Sequence, residues 1–185
     1  KLLSLMGLSA SQKFLSSIGI DVNIDNAGLS MALGTISVSP LQMAAGYAAI
    51  ANKGVYITPT FYTKVVDQNG NTIIETTQEK KRVMSEDNAY IESTILRGPV
   101  SAGGTASRYS RYLGNMDVAG KTGTAEVGDW TTAIFVGYAP YEQPKVAFAC
   151  AAPTSSVNTQ NVSANICTDT VTNKVLDKYF ELYPQ

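Results

Sequence analysis

Apolar and polar positions change period three times along the chain. The first stretch reads as helix. Ser9 predicts a cap for a helix over 10–18, with Gly19 as its stop. Residues 20–27, IDVNIDNA, predict a loop before the short apolar run GLSMALGT. Ser39-Pro40 is a strong helix start, a capping hydroxyl followed by proline in the first turn. The helix LQMAAGYAAIAN then runs toward Gly54, and it is apolar nearly all round, so burial on every side is expected. From 55 to 76 the pattern alternates, and VYITPTFYTKVV and TIIET predict strands around an Asn-Gly turn. Ser85 predicts the cap of a helix over 86–97 that ends at Gly98-Pro99. After a Gly103-Gly104 hinge, Thr105 predicts the cap of a short helix over 106–112.

The last third returns to alternation. MDVAGKTGTAEV, TTAIFVGYAP and KVAFACAAP predict three consecutive strands. The turns Val127–Trp130 and Tyr141–Pro144 are short enough to make them antiparallel neighbours. A polar stretch leads to a final helix, roughly 166–181, with Val171, Val175, Leu176, Tyr179 and Phe180 spaced to pack on one face. The sum is an α+β fold, an antiparallel sheet flanked by helices, with no internal repeat.

Composition narrows the chemistry. The chain has 185 residues, enough for one domain or part of a larger one, and would bury roughly 70% of its unfolded surface. Fourteen Lys and Arg face fifteen Asp and Glu, and the longest basic run is Lys80-Lys81-Arg82, so a nucleic-acid partner is not expected. The absence of histidine removes Ser-His-Asp and Cys-His mechanisms. With two cysteines it also removes the common zinc sites, and no metal or cofactor is expected. Any general base must be Lys, Asp, Glu or Tyr. Cys150 lies in an apolar strand and Cys167 follows a polar loop. They could bridge, but two buried or unpaired thiols is the favoured expectation. No apolar run approaches the ~20 residues of a membrane span. The chain starts at Lys1-Leu-Leu-Ser without an initiator methionine and reads as an excised piece.

One motif carries candidate chemistry: Lys121, Thr122, Gly123 and Thr124, inside AGKTGTAEV. A match to K-[ST]-G-[ST] arises by chance in about one chain in a hundred of this length. Taken alone it would be two surface threonines and a solvated lysine on a strand edge. Its context, a strand followed at once by a hairpin partner, raises its weight.

Together with its flanks the motif resembles the penicillin-binding protein transpeptidase domain, C-terminal portion. KTGT matches that family's third active-site motif. LSMALGTISVSPLQMAAGYAAIANKGVYITPTF resembles the stretch before its hairpin, RVMSEDNAYIESTILRGPVSAGGTA the helix and hinge before KTG, and FVGYAP the strand after it. The fit is better to the bifunctional glycosyltransferase–transpeptidase type. The resemblance divides the chain into a helical part about 1–54, a hairpin about 55–76, helices about 85–112, and sheet strands with a final helix about 116–181. Many relatives carry tryptophan before the FVGY-like phenylalanine; here Ile134 stands there and Trp130 lies four residues earlier.

The resemblance implies a peptidoglycan D,D-transpeptidase that works by serine acyl transfer. Lys121 would place a cation near the substrate carboxylate and the proton-transfer network, and Thr122 and Thr124 would offer it hydroxyls. Gly123 would let substrate lie against the strand, and the Thr124 amide would be one oxyanion donor. Strand alternation puts Lys121 and Gly123 on one face and Thr122 and Thr124 on the other. Implied partners are stem peptides, β-lactam antibiotics and an N-terminal half of the same domain, with the whole on the outer face of the bacterial cell membrane.

The nucleophile is not found in the chain. No lysine follows a serine at the S-x-x-K spacing; Val118, for example, precedes Lys121 by three. S-x-N occurs as Ser156-Val157-Asn158 and Ser163-Ala164-Asn165, but both follow KTGT where the family's precedes it, so both read as chance. The chain alone is expected to be inactive. A serine β-lactamase shares K-[ST]-G but not the long Ser39–Phe61 match, and a non-catalytic sensor or scaffold of the same fold is the rival of a different class.

Overall fold

The computed structural model describes residues 1–107, 117–127, 130–155 and 166–184. The N-terminal helix is two helices, α1 (Leu2–Met6) and α2 (Leu8–Ser17), split at Gly7 with φ 83°. Ser9 therefore lies inside α2 and caps nothing, because the chain enters that helix at Gly7 without a side-chain cap. The stop is where the glycine predicts it. Gly19 adopts φ 75°, and the amides of Gly19 and Ile20 donate to Ser16 and Leu15 carbonyls at 3.2 and 2.9 Å. The expected loop 20–27 is a loop only in its first half. Asn23 Oδ1 accepts from the Asp25 amide at 3.0 Å and starts the one-turn α3 (Ile24–Ala27), which runs into a 3₁₀ turn over Gly28–Leu33.

Helix α4 (Pro40–Ala51) begins as its sequence dictates. Ser39 Oγ accepts from the Gln42 amide at 3.2 Å, and Gln42 Oε1 accepts from the Ser39 amide at 3.0 Å. Gln42 Nε2 also donates to Gly19 O at 2.8 Å, so one side chain both caps α4 and ties it to the end of α2. Burial on every side is not what the structure shows. Ala45 and Ala49 pack against Ile18, Ile20 and Tyr56, while Tyr47, Ile50 and Ala51 pack toward Ala119 and Tyr138. Leu41, in the first turn, stays exposed.

Residues 55–76 hold strands β1 (Val55–Ile57), β2 (Lys64–Val66) and β3 (Thr72–Glu75), but only β2 and β3 form the expected hairpin, and β3 is exposed throughout. The β2–β3 turn is organised by Asp67, whose carboxylate accepts from the amides of Asn69 and Asn71 at 2.8 Å. Strand β4 (Lys80–Arg82) pairs antiparallel with β1 and has no apolar signature by which it could be read from sequence. Helix α5 (Glu86–Leu96) is capped by Ser85, as expected. Thr105 to Ser107 form turns; the remainder of the expected helix 106–112 and both S-x-N sequences lie outside the described residues.

The centre is an antiparallel sheet of β5 (Ala119–Val127), β6 (Trp130–Ala139) and β7 (Val146–Ser155) in that order. One face carries Phe135, Ala139, Phe148 and Cys150 and packs on Leu176 and Phe180 of α6 (Asn173–Leu182), which follows a π-helical turn over Ile166–Thr172. Leu176 and Phe180, four apart, form the packing line; Val175 falls off it and is exposed, contrary to the sequence reading. The opposite face, around Ala119 and Tyr138, meets α4 and α5.

The expectation of separate thiols is overturned: Cys150 and Cys167 form a disulfide. Cys150 lies opposite Phe135 on the face toward α6, where Cys167 is fully buried, and the Cα atoms stand 5.6 Å apart, within bridging reach. Among the described residues no helix is long and apolar enough to cross a membrane.

Candidate active site

Among the described residues strand β5 is an edge of the central sheet. Lys121, Thr122, Gly123 and Thr124 all line one cavity of about 370 Å³. Its far wall is apolar: Ile20, Met31 and Ile36, then Met43 and Tyr47 of α4. Its floor is the sheet face made by Ile134, Val136, Ala149 and Ala151. The expected alternation is present, since Lys121 pairs with Val136 and Gly123 with Ile134 on one face, and Thr122 pairs with Phe135 on the other. Residues of both faces nevertheless reach the same cavity, because it borders the open edge as well as the floor.

Two hydrogen bonds fix the motif. Lys121 Nζ donates to the Thr122 carbonyl at 2.7 Å, which lays the lysine stem along its own strand. Thr122 Oγ1 donates to Thr105 Oγ1 at 2.7 Å. Thr105 follows the Gly103-Gly104 pair, and the fold requires glycine at both. Gly103 has φ 83°, and a Cβ on Gly104 would run into the Pro99 and Gly98 carbonyls. Thr105 was read from sequence only as a helix cap; its role beside Thr122 has no local signal.

The glycines separate structural need from access. A Cβ at position 120 would stand 2.8 Å from the Val136 carbonyl oxygen, so packing demands Gly120. A Cβ at position 123 would meet Ile134 Cβ at 3.4 Å, an ordinary contact. Packing therefore tolerates a methyl group at 123 and does not itself demand the glycine. Ile134 is the residue beneath it.

Tyr47 is the second feature that sequence reasoning missed. It sits in a helix that reads as uniformly apolar, yet its side chain lines the cavity. Burial, and then the charge of Glu92, push its hydroxyl up to about 12, so it is a neutral hydroxyl at physiological pH. Among the described residues the lining contains no serine, and its cysteine, Cys150, is in the disulfide. The cavity thus offers a cation, hydroxyls and a bare strand, a set suited to holding a carboxylate.

The fold is that of penicillin-binding transpeptidase domains. The chain superposes with TM-score 0.77 on penicillin-binding protein 3 from Mycobacterium tuberculosis, solved with aztreonam, at 22% identity over 98% of this chain and 48% of that one. It matches the D,D-transpeptidase domain of a peptidoglycan glycosyltransferase from Eggerthella lenta with TM-score 0.65 and 31% identity, over 78% of this chain and 32% of that one. In sequence it is 41% identical to penicillin-binding protein 1A of Clostridium acetobutylicum over 144 residues, 76% of this chain and 17% of that protein. The profile of the penicillin binding protein transpeptidase domain matches residues 6–172, and the chain belongs to that family. It spans about a sixth of the length of the curated relatives it matches.

Proposed function

We propose that this chain is the C-terminal portion of one transpeptidase domain of a peptidoglycan D,D-transpeptidase and forms the carboxylate- and oxyanion-holding wall of its active site. The observation that carries the reading is the cavity along Lys121–Thr124, polar on the strand side and, among the described residues, without a serine in its lining. The serine and its lysine belong to an N-terminal half of the same domain, present as a separate segment or chain. That half also supplies strands that pair beside β7, whose outer edge has no partner among the described residues.

In this reading the serine Oγ attacks the carbonyl carbon of a D-Ala-D-Ala end. The tetrahedral oxyanion accepts hydrogen bonds from the Thr124 amide and the serine's own amide. D-Ala leaves as its amine takes up a proton, and an ester to serine remains. The amine of a second stem peptide then attacks that ester and restores the serine hydroxyl. Lys121 and the hydroxyls of Thr122 and Thr124 hold the terminal carboxylate during acylation, with little reorganisation, until it departs with the leaving D-Ala. β-Lactams enter by the same route and stop at the ester. The site faces the outside of the cell membrane, where the polymer lies, with the anchor in a segment outside this chain.

The test is covalent labelling with fluorescent penicillin. This chain alone should remain unlabelled, and the reassembled domain should label on the other half. Label on this chain alone would sink the reading. No label after reassembly would favour a non-catalytic sensor, and rapid release of hydrolysed drug a β-lactamase.

A further inference from the structure

Two stretches of chain are joined at both ends beside KTGT. The first, 97–105, leaves the C-terminal end of α5, and the second, 117–122, enters β5. At one end Arg97 Nη2 donates to Asp117 Oδ2 at 2.6 Å. At the other, Thr122 Oγ1 donates to Thr105 Oγ1 at 2.7 Å. Between these links a 3₁₀ turn over Gly98–Val100 packs against β5, and Val100, Ala106 and Val118 are buried in one cluster. The contacts follow the same order in both stretches, so 97–105 forms a strap along the entry to β5.

The strap is tied within itself. The Arg97 carbonyl accepts from the Ser101 amide at 3.0 Å and from the Ser101 hydroxyl at 2.8 Å. The Gly104 amide donates to the Ser101 carbonyl at 2.9 Å, and the Ala106 amide to the Pro99 carbonyl at 2.8 Å. A displacement at Arg97 is therefore carried toward Thr105 through a continuous set of bonds.

Arg97 is itself placed by three elements. Its guanidinium lies 4.4 Å from the ring centroid of Tyr141, which follows β6. The Tyr141 amide donates to the Asp117 carbonyl at 2.8 Å, and its hydroxyl stands 3.4 Å from Thr94 Oγ1 of α5. Arg97, Asp117 and Tyr141 thus clamp the end of α5 to the start of β5 and the end of β6. Both side chains of the ion pair are 44% exposed, so the pair adds little stability. What the planar guanidinium adds, paired on one side and stacked on another, is orientation.

We infer that Arg97 is a positioning residue for the Thr122 hydroxyl: held by Asp117 and Tyr141, it fixes the strap that presents Thr105 to Thr122. The inference rests on the reading of KTGT as the holder of a substrate carboxylate.

The test compares acylation of the full-length protein that carries this chain by penicillin G and by its methyl ester, which lacks the carboxylate. Arg97→Ala should slow penicillin G about tenfold, the scale of a small misplacement of a binding group, and barely slow the ester. Arg97→Lys, which keeps a cation opposite Asp117 without the planar fork, should recover part of the loss, and Asp117→Asn should act in the same direction as Arg97→Ala. Equal slowing of both compounds would mark Arg97 as merely structural and overturn the inference. Wild-type rates with penicillin G in both Arg97→Ala and Asp117→Asn would overturn it too. Peptide hydrogen exchange supplies a readout that needs no acylation: in Arg97→Ala it should rise over 98–106 and 117–122 and stay unaltered over α4. Unaltered exchange over both stretches would overturn the clamp. A wild-type protein that neither compound acylates would instead sink the transpeptidase reading, and the role assigned to Arg97 with it.

Discussion

Thr122 donates its hydroxyl hydrogen to the hydroxyl of Thr105, seventeen residues earlier, at 2.7 Å. The bond joins the substrate-side strand to the segment that follows Gly103 and Gly104. It fixes the rotamer of a side chain that the proposed chemistry uses. Both groups are exposed to solvent, so it contributes orientation rather than stability.

That geometry makes a prediction for the complete domain. Thr105→Val should slow acylation by a β-lactam several-fold while leaving the melting temperature within about 1–2 °C. Thr122→Val should slow it more, and the double variant should be no slower than Thr122→Val. Stopped-flow acylation rates in a double-mutant cycle read this directly, and additive losses would show that the pair does not act as a unit.

Alanine at two glycines of one strand should give opposite outcomes. Gly120→Ala forces a methyl group against the Val136 carbonyl and should cost about 1–3 kcal/mol in urea unfolding. Gly123→Ala meets only Ile134 at ordinary distance and should leave stability within about 0.5 kcal/mol. Its effect should appear instead as slower acylation.

The N-terminus of α4 forms part of the cavity wall through Pro40 and Met43, so its cap can be tested for both stability and function. Ser39→Ala removes one half of the capping box and should cost about 1 kcal/mol. Gln42→Ala removes the other half and the bond to Gly19 O as well, and should cost more. Denaturant midpoints with an unchanged m-value would check both.

Alkaline pH should destabilise the protein through its tyrosines. Tyr47 titrates near 10 when unfolded and at about 12 when folded, and Tyr56 and Tyr138 are shifted in the same direction by burial. Below pH 10 both states hold the proton and the contribution is fully present. Between 10 and 12 the unfolded state loses it first, so stability falls as pH rises. Tyr47 accounts for about 2 kcal/mol of that fall. Tyr47→Phe should flatten the stability profile between pH 10 and 12 and leave the neutral range unaltered in slope.

Much of this architecture is legible in the sequence because it rests on local chemistry. Ser39-Pro40 and Ser85 announce their helices, Gly19 announces a stop, and the alternation of the last third gives β5, β6 and β7 in their true order. What escaped depends on distant partners. Strand β4 is three cations held by pairing with β1 and by the Arg82 guanidinium, which donates to the Lys53 and Met84 carbonyls. The pairing of Cys150 with Cys167 requires knowing that β7 faces α6. KTGT could be found by its spacing, but Thr105 and Tyr47 reach the cavity through a hinge and a helix face that no spacing encodes.

The sulfur bridge closes residues 150–167 into a covalent ring. A pull on the C-terminal end therefore reaches β7 through sulfur instead of through the intervening peptide. A protease that cuts one bond inside the ring leaves α6 tethered to the sheet and opens the ring without releasing a fragment. The bridge thus makes the last helix a fixture of the sheet that carries the candidate site, even where the connecting chain is severed.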